Sequence, residues 1–142
     1  MIDIWFDGAC QPVNPGGAMS WSYIIKKDSE PLATNYNVLK KDGFTQSTNN
    51  VAEYYALFMA LNKLIELGLT SELVVFRGDS QLVIQQMNGN WRIKQGAYVK
   101  VAKDCLNLKT HFNHIYGEWI PREQNQDCDD LCNLAYEGEH AR

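Results

Sequence analysis

The hydrophobic residues of this chain repeat with two different periods, and the order of those periods leaves few folds open. Short apolar or alternating runs predict five strands, at residues 2–6, 18–27, 32–39, 73–76 and 112–120. Helical spacing between capping and terminating residues predicts four helices, at residues 48–67, 79–86, 98–108 and 124–138. This order indicates an α/β domain with one mixed sheet. An antiparallel meander should come first, followed by strands that helical crossovers join, with helices covering both faces.

The first long predicted helix has a stripe of small residues along one side. Ala52, Ala56 and Ala60 recur every four positions, which places them on one helical face. Ser47 or Thr48 can cap the start of this helix. A helix with such a stripe can lie close against a sheet.

The length and composition suit a single domain over residues 1–142, with 45% hydrophobic and 21% charged residues. No apolar run reaches the roughly 20 residues of a membrane helix, and the acidic start of the chain is unlike a signal peptide. We therefore expect a cytoplasmic protein with no membrane partner. In that reducing compartment we expect four free thiols, at Cys10, Cys105, Cys128 and Cys132.

Four acidic residues stand at informative places in this predicted fold. Asp7 follows the first apolar strand, and Asp79 stands where the fourth strand meets its helix. If those strands are parallel neighbours, both carboxylates emerge at one sheet edge and repel each other unless a cation lies between them. Glu53 and Asp129 lie near the starts of the first and last long helices. Oxygen ligands without histidine or cysteine suit Mg²⁺ or Mn²⁺, although any one of these acids alone reads as a helix cap or a solvated residue.

Around these acids the chain resembles the type 1 ribonuclease H family in four ordered motifs. They are Asp7-Gly8-Ala9-Cys10 with Asn14-Pro15-Gly16-Gly17, Thr48-Asn49-Asn50-Val51-Ala52-Glu53, Gly78-Asp79-Ser80-Gln81-Leu82-Val83, and Trp119-Ile120-Pro121-Arg122-Glu123-Gln124-Asn125 with Cys128-Asp129-Asp130-Leu131-Cys132. The resemblance implies the ribonuclease H-like fold, a five-stranded mixed sheet of three antiparallel and two parallel strands. It covers residues 2 to about 137.

The resemblance also implies an activity, the endonucleolytic hydrolysis of the RNA strand of RNA–DNA hybrids. In such enzymes two Mg²⁺ ions, which Mn²⁺ can replace, promote in-line attack on phosphorus and leave a 5′-phosphate and a 3′-hydroxyl. Asp7 would bridge the two ions, Asp129 would join it on the ion that activates water, and Glu53 and Asp79 would join it on the other. All four would be catalytic and metal-binding residues.

Substrate contacts carry over from the same motifs. Amides can hydrogen-bond the 2′-hydroxyls that distinguish RNA from DNA. The residues implied in substrate binding are Cys10, Asn14, Thr48, Asn49, Asn50, Gln81 and Arg122. Without the motif, helix capping explains Asn49 and Asn50 equally well.

The chain departs from the best-known bacterial pattern before its last helix. A flexible loop with a proton-shuttling histidine is absent there, and Arg122 occupies a short link instead. This resembles short archaeal-like members, some of which also cut double-stranded RNA. A guanidinium cannot act as a base at neutral pH. Arg122 can bind phosphate or help the product leave, and an ion pair with Glu123 or Asp127 is the competing interpretation.

A basic handle after the third motif is also missing. A modest cluster near Trp91 remains: Arg92, Lys94, Lys100 and Lys103. It can contact the DNA strand, but Trp91 can equally belong to the core. With a net charge of −4, we expect weak affinity for the hybrid.

Several assignments remain open from the sequence. The choice lies among Asp127, Asp129 and Asp130, which point in different directions on one helix, and Asp130 is the main rival. The register of the family motif, with Leu131 and Ala135 as its buried pair, favours Asp129. A binding module that has kept the fold without the chemistry is the alternative of another class, and resolvases, integrases and exonucleases share the fold. We expect a monomer whose partner is an RNA–DNA hybrid, with double-stranded RNA as the second substrate to test.

Overall fold

The computed structural model describes residues 1–40 and 46–140. Its strands are β1 (Ile2–Gln11), β2 (Ala18–Lys27), β3 (Glu30–Leu39), β4 (Leu73–Gly78) and β5 (His114–Trp119). Its helices are α1 (Asn49–Glu66), α2 (Gln81–Met87), α3 (Val99–Lys109) and α4 (Gln126–His140), with a short 3-10 turn at Arg122–Gln124. Every predicted strand and helix is present in the predicted order.

The five strands form one mixed sheet in the order β3-β2-β1-β4-β5. The first three pair antiparallel, and β4 and β5 join parallel to β1 and to each other. This is the five-stranded mixed sheet, with three antiparallel and two parallel strands, that the resemblance to the ribonuclease H family implied. The parallel strands require helical crossovers, and α1 and the α2–α3 pair supply them.

Helices cover both faces of the sheet, as predicted. Successive side chains of β1 point to opposite faces of the sheet, as they do along any strand. Ile4 and Phe6 lie in the hydrophobic core with Leu57 of α1. On the other face, the Ser22 hydroxyl donates 2.7 Å to the Cys128 carbonyl of α4.

The structure corrects the predicted end of β1 and decides between the two candidate caps of α1. The prediction that β1 ends at Phe6 is wrong, since β1 continues to Gln11 through register pairs with β2 such as Asp7 with Ser22. The α1 cap is Thr48, whose hydroxyl accepts a 3.1 Å hydrogen bond from the Val51 amide. Among the described residues, no helix has the length and apolarity needed to cross a membrane.

Candidate active site

The site begins where β1 and β4 separate. Their parallel register runs as far as the pair Trp5 and Arg77. Beyond that pair, β1 continues along β2 alone, while the chain after β4 turns into α2. Asp7 and Asp79 therefore lie at the mouth of the crevice between two parallel strands, where sites form in open α/β sheets.

A close backbone contact brings α1 to this crevice. A Cβ added to Gly8 would overlap the backbone of Ala52 and Glu53, so only glycine permits this approach. Ala52 is fully buried, and the predicted small-residue stripe therefore lies against β1. The contact sets Glu53 beside the residue that follows Asp7.

Helix α4 brings the fourth carboxylate to the site from the opposite face. Its buried stripe consists of Cys128 and Cys132, so the prediction that Leu131 and Ala135 form the buried pair is wrong. The two thiols lie beside small residues of the sheet, and the Cys132 thiol is 3.4 Å from the Ser22 hydroxyl oxygen. Asp129 follows Cys128 and keeps 18% of its side chain exposed.

All four acids line one cavity of about 320 Å³: Asp7, Glu53, Asp79 and Asp129. Their neighbours in its wall are Gly8, Ala9, Cys10, Gln11, Asn49, Arg122 and Asn133. Asp127 and Asp130, the rivals of Asp129, are exposed and do not line this cavity. The acids are neighbours and not a closed ligand cage: within residues 1–40 and 46–140, no group of three or more His, Cys, Asp or Glu side chains could hold a metal as placed.

Burial and mutual repulsion raise the pKa of three carboxyls in this cavity, those of Asp7, Glu53 and Asp79. Burial, and then the charges of Asp79, Glu53 and Asp129, raises the pKa of Asp7 from 3.8 to about 8. Burial and then Asp79 raise the pKa of Glu53 from 4.5 to about 8, against the lowering effect of a hydrogen bond with Ser80. Burial also raises the pKa of Asp79, whereas Arg122 lowers it. A positive charge in this cavity would reverse these shifts.

The donor set fits a hard divalent cation. The Oε2 atom of Glu53 is buried and has no hydrogen-bond partner. A buried carboxylate oxygen without a donor is costly, and a cation can relieve that cost. Because all four candidate ligands are carboxylates, Mg²⁺ and Mn²⁺ suit the site better than a soft metal.

Arg122 is the basic residue in the cavity wall. Its guanidinium is 77% exposed and lies 3.7 Å from the Asp129 carboxylate. The structure thus pairs Arg122 with Asp129, and the alternative pairing with Glu123 or Asp127 is wrong. An exposed, weakly held guanidinium above an acidic cavity is free to turn toward a phosphate.

The residues expected to bind substrate fall into two groups. Cys10, Asn49 and Arg122 line the cavity. The Asn49 side chain accepts 2.8 Å from the Cys10 amide, so it ties α1 to β1 and does not cap the helix. The other four lie outside the wall. Asn14 accepts a 3.1 Å hydrogen bond from the Asn49 backbone amide, and Thr48 caps α1. Asn50 is half-buried in the first turn of α1, and the exposed Gln81 accepts a 3.2 Å hydrogen bond from the Gln85 side chain.

Two residues in the cavity wall were not predicted from the sequence. Gln11 and Asn133 face each other there, and the Gln11 amide donates 3.0 Å to the Asn133 side-chain oxygen. The spacing of four residues between Asp129 and Asn133 is the signal that could have identified the second one, because it places both on one helix face. Gln11 gave no such signal, since β1 was predicted to end before it.

A second cavity, of about 560 Å³, lies beside α2 and includes Trp91, Arg92, Lys94 and Tyr98 in its wall. Trp91 is 49% exposed, so its interpretation as a core residue is wrong. Lys100 and Lys103 lie outside this wall, and Lys100 pairs with Asp104 at 3.0 Å. The basic cluster therefore reduces to Arg92 and Lys94 next to an exposed aromatic ring.

Buried polar contacts hold this second cavity in place. The Tyr54 hydroxyl donates 2.6 Å to the Gln86 side-chain oxygen, and the Gln86 amide donates 2.8 Å to the Arg92 carbonyl. The Tyr54 and Tyr98 rings stack with centroids 5.8 Å apart. The segment with Trp91 is thus anchored to α1 and α2.

Comparisons with known proteins identify relatives of this chain. The chain matches the family described as "Reverse transcriptase-like" over residues 6–135. It is 35% identical over 122 residues to "Bifunctional protein Rv2228c" of Mycobacterium tuberculosis, covering 86% of this chain but 32% of that protein. It is 31% identical over 134 residues to "Ribonuclease HI" of Halobacterium salinarum, covering 94% of this chain and 63% of that protein. This chain thus spans about a third of the mycobacterial protein.

Solved structures extend the likeness to the whole fold. The N-terminal RNase H domain of Rv2228c superimposes with a TM-score of 0.83 at 31% identity, covering 94% of this chain and 97% of that chain. LC11-RNase H1, solved in complex with an RNA/DNA hybrid, gives a TM-score of 0.87 at 29% identity and covers 98% and 99%. The chain therefore belongs to the reverse transcriptase-like family of ribonuclease H-like domains and is homologous to ribonuclease H1.

Proposed function

We propose that this chain is a metal-dependent endonuclease that hydrolyses the RNA strand of RNA–DNA hybrids and leaves 5′-phosphate and 3′-hydroxyl ends. One observation carries the proposal: four carboxylates from β1, α1, the end of β4 and α4 line a single cavity. Such convergence is costly without a cation, because like charges repel in a partly buried site. We further propose that residues 1–142 form one catalytic domain.

The hybrid as substrate rests on the relatives. LC11-RNase H1 was solved with an RNA/DNA hybrid, and this chain aligns with nearly all of it. We extend that substrate to this chain because the cavity has polar side chains beside the acids. Asn49 lies in its wall, and an amide can hydrogen-bond the 2′-hydroxyl of a ribose.

Asp7, Glu53, Asp79 and Asp129 would hold two Mg²⁺ ions or, as a substitute, Mn²⁺. Bound there, the ions would lower the pKa of an attacking water and neutralise charge on the leaving oxygen. The carboxylates must draw together on binding, since no three of the described His, Cys, Asp or Glu side chains form a ligand cage as placed. The unpartnered Oε2 of Glu53 is available for that movement.

Residues of the chain itself would position the substrate. Arg122 would leave Asp129 to contact a phosphate, which its exposure permits and which a fork-shaped guanidinium suits. On the DNA side, Trp91 would pack on a sugar while Arg92 and Lys94 contact phosphates. Without further basic residues there, binding should be weak and should fall with added salt.

The test is cleavage of an end-labelled hybrid by purified protein with Mg²⁺ or Mn²⁺, beside an RNA duplex and a DNA duplex. The wild type should cut the RNA strand of the hybrid and leave the DNA duplex intact. Asp7→Asn should lower the rate by at least about 1000-fold, since it removes the shared ligand. Asp104→Asn, the same change on the distant surface of α3, should cleave normally.

A second pair of variants tests the choice on α4. Asp129→Asn should abolish cleavage, whereas Asp130→Asn should preserve it because Asp130 lies outside the cavity. Unchanged cleavage by Asp7→Asn would overturn the proposal. Hybrid binding by clean wild-type protein without any turnover in either metal would favour a binding module. The RNA duplex arm decides whether the substrate range is wider than the hybrid.

A further inference from the structure

Helix α4 and the residue before it present three polar side chains toward β1 or the active site. Asn125 precedes the helix, and Asp129 and Asn133 follow at intervals of four residues. Residues four apart lie above one another on a helix. Asp129 therefore stands one turn away from an amide on each side.

Both amides bind β1, at points that bracket Asp7. The Asn125 amide, which is buried, donates 2.9 Å to the carbonyl of Phe6. Four residues beyond Asp7, the Gln11 amide donates 3.0 Å to the Asn133 oxygen. The two elements that carry Asp7 and Asp129 are thus joined both before and after those acids.

These contacts oppose a force that the site itself generates. Asp7 lies among three other carboxylates, and ionised carboxylates on neighbouring elements push those elements apart. Hydrogen bonds between uncharged amides resist that push at every pH and salt concentration. Asn125 is buried and belongs to the packing of α4, whereas Gln11 and Asn133 are half-buried at the cavity wall. The Gln11–Asn133 pair is therefore the part of this arrangement that can be removed without opening the core.

We propose that Gln11 and Asn133 are positioning residues, which hold Asp129 against Asp7 and so raise the affinity of that half of the site for a divalent cation. The pair does not touch the cation. It fixes the spacing of the two elements that carry these ligands before the cation arrives, so that less ordering is needed on binding. The inference rests on the proposed function for the identity of the site, but its test measures binding without catalysis.

The experiment is isothermal titration of the metal-free protein with Mn²⁺, supported by the rise in unfolding temperature that Mn²⁺ produces. Gln11→Leu and Asn133→Leu should each weaken Mn²⁺ binding by about tenfold, the lower end of the effect of residues behind metal ligands. The double variant should be no weaker than either single variant, because both changes remove one hydrogen bond. Asn107→Leu, an exposed asparagine on α3, is the matched control and should bind like the wild type.

Two further variants separate positioning from general stability. In an Asp129→Asn background, Gln11→Leu should have no additional effect on Mn²⁺ binding, because the ligand that the pair positions is already gone. The exchanged pair, Gln11→Asn with Asn133→Gln, keeps the combined side-chain length and should recover most of the lost affinity. A destabilised fold would produce neither result.

Mn²⁺ affinity equal to that of Asn107→Leu in both single variants would overturn the inference. A further tenfold loss in the Asp129→Asn background would overturn it as well. Normal Mn²⁺ binding by a wild type that cuts no hybrid would overturn the proposed function and leave the positioning role intact. A wild type that binds no Mn²⁺ would overturn both.

Discussion

Replacing Asp7 by asparagine should stabilise the metal-free protein, and the gain should grow with pH. In the folded chain the pKa of Asp7 is raised from 3.8 to about 8, first by burial and then by the neighbouring acids. The unfolded chain releases this proton near pH 4, whereas the folded chain holds it to near pH 8. A raised folded-state pKa gives stability that is complete below pH 4 and is lost as the pH rises to 8. Asparagine does not titrate and escapes that loss.

The magnitude follows from the width of this window. Each pH unit between the two pKa values changes the free energy of unfolding by about 1.4 kcal/mol. Between pH 5 and pH 8 the wild type should therefore lose about 4 kcal/mol relative to Asp7→Asn. Glu53, whose pKa is also raised to about 8, titrates in both proteins and largely cancels from the difference.

The assay is urea unfolding followed by circular dichroism, in EDTA, at one-unit steps from pH 5 to pH 9. The difference between Asp7→Asn and wild type should climb to pH 8 and then level off. Asp104→Asn is the matched control, because Asp104 lies outside the acidic cavity and pairs with Lys100 on the surface of α3. Added Mg²⁺ should favour the wild type and narrow the gap at high pH. A difference that stays flat or shrinks from pH 5 to pH 8 would refute the repulsive-cluster reasoning.

Three other changes test separate parts of the structure. Gly8→Ala should lower the free energy of unfolding by about 3 kcal/mol, measured by urea titration, because its Cβ would overlap the Ala52 backbone. Trp91→Ala should raise the KM for the hybrid by about 5- to 10-fold with little change in kcat, in steady-state kinetics, because it removes an exposed ring that can pack on the nucleic acid. Arg122→Ala should move the acidic limb of the pH–rate profile to higher pH, because the guanidinium lowers the pKa of Asp79. Arg122→Lys keeps the positive charge and should retain most of the original profile. Identical acidic limbs in the wild type and both variants would contradict this role of Arg122.

Hydrophobic periodicity was sufficient to predict the order of the elements, but not the length of β1. Residues 2–6 are apolar except for Asp3, with core residues at every second position, whereas residues 7–11 are small or polar. Their strand conformation comes from pairing with β2 along the full register, which no local pattern reveals. Tertiary pairing decided the outcome where local preference was weak. The longer strand is what brings Gln11 to the cavity wall.

Asp129 lines the acidic cavity, although the buried pair that accompanied its choice is not the one in the structure. The sequence favoured a helix that buries Leu131, but the buried residues are Cys128 and Cys132. Helical periodicity ranks leucine above cysteine as a core residue, yet the sheet presents Ser22 at this position and leaves room for a thiol. The packing partner, which lies more than a hundred residues away, decides the face of the helix.

The exposure of the Trp91 side chain was another property that could not be predicted from the sequence. Trp91 stands between Asn90 and Arg92 and fits a core or a surface equally well. Two hydrogen bonds join the backbone here to α2: the Trp91 amide donates 3.2 Å to the Gln85 carbonyl, and the Gln86 side-chain amide donates to the Arg92 carbonyl. The ring of Trp91 is exposed in this arrangement, which depends on contacts that the local sequence does not reveal.

The contacts that hold the acidic site together are neutral and lie close to Asp7 along the chain. Phe6 accepts from the buried Asn125 amide, Asp7 itself pairs in register with Ser22, and Gly8 lies on the α1 backbone. None of these contacts depends on a cation, so the backbone of the site is set by the fold while its side chains carry the unfavourable charge. Cation binding then needs to move carboxylates and not whole elements. A scaffold that is rigid at the backbone and repulsive at the side chains suits a small, hard cation such as those proposed above for this site.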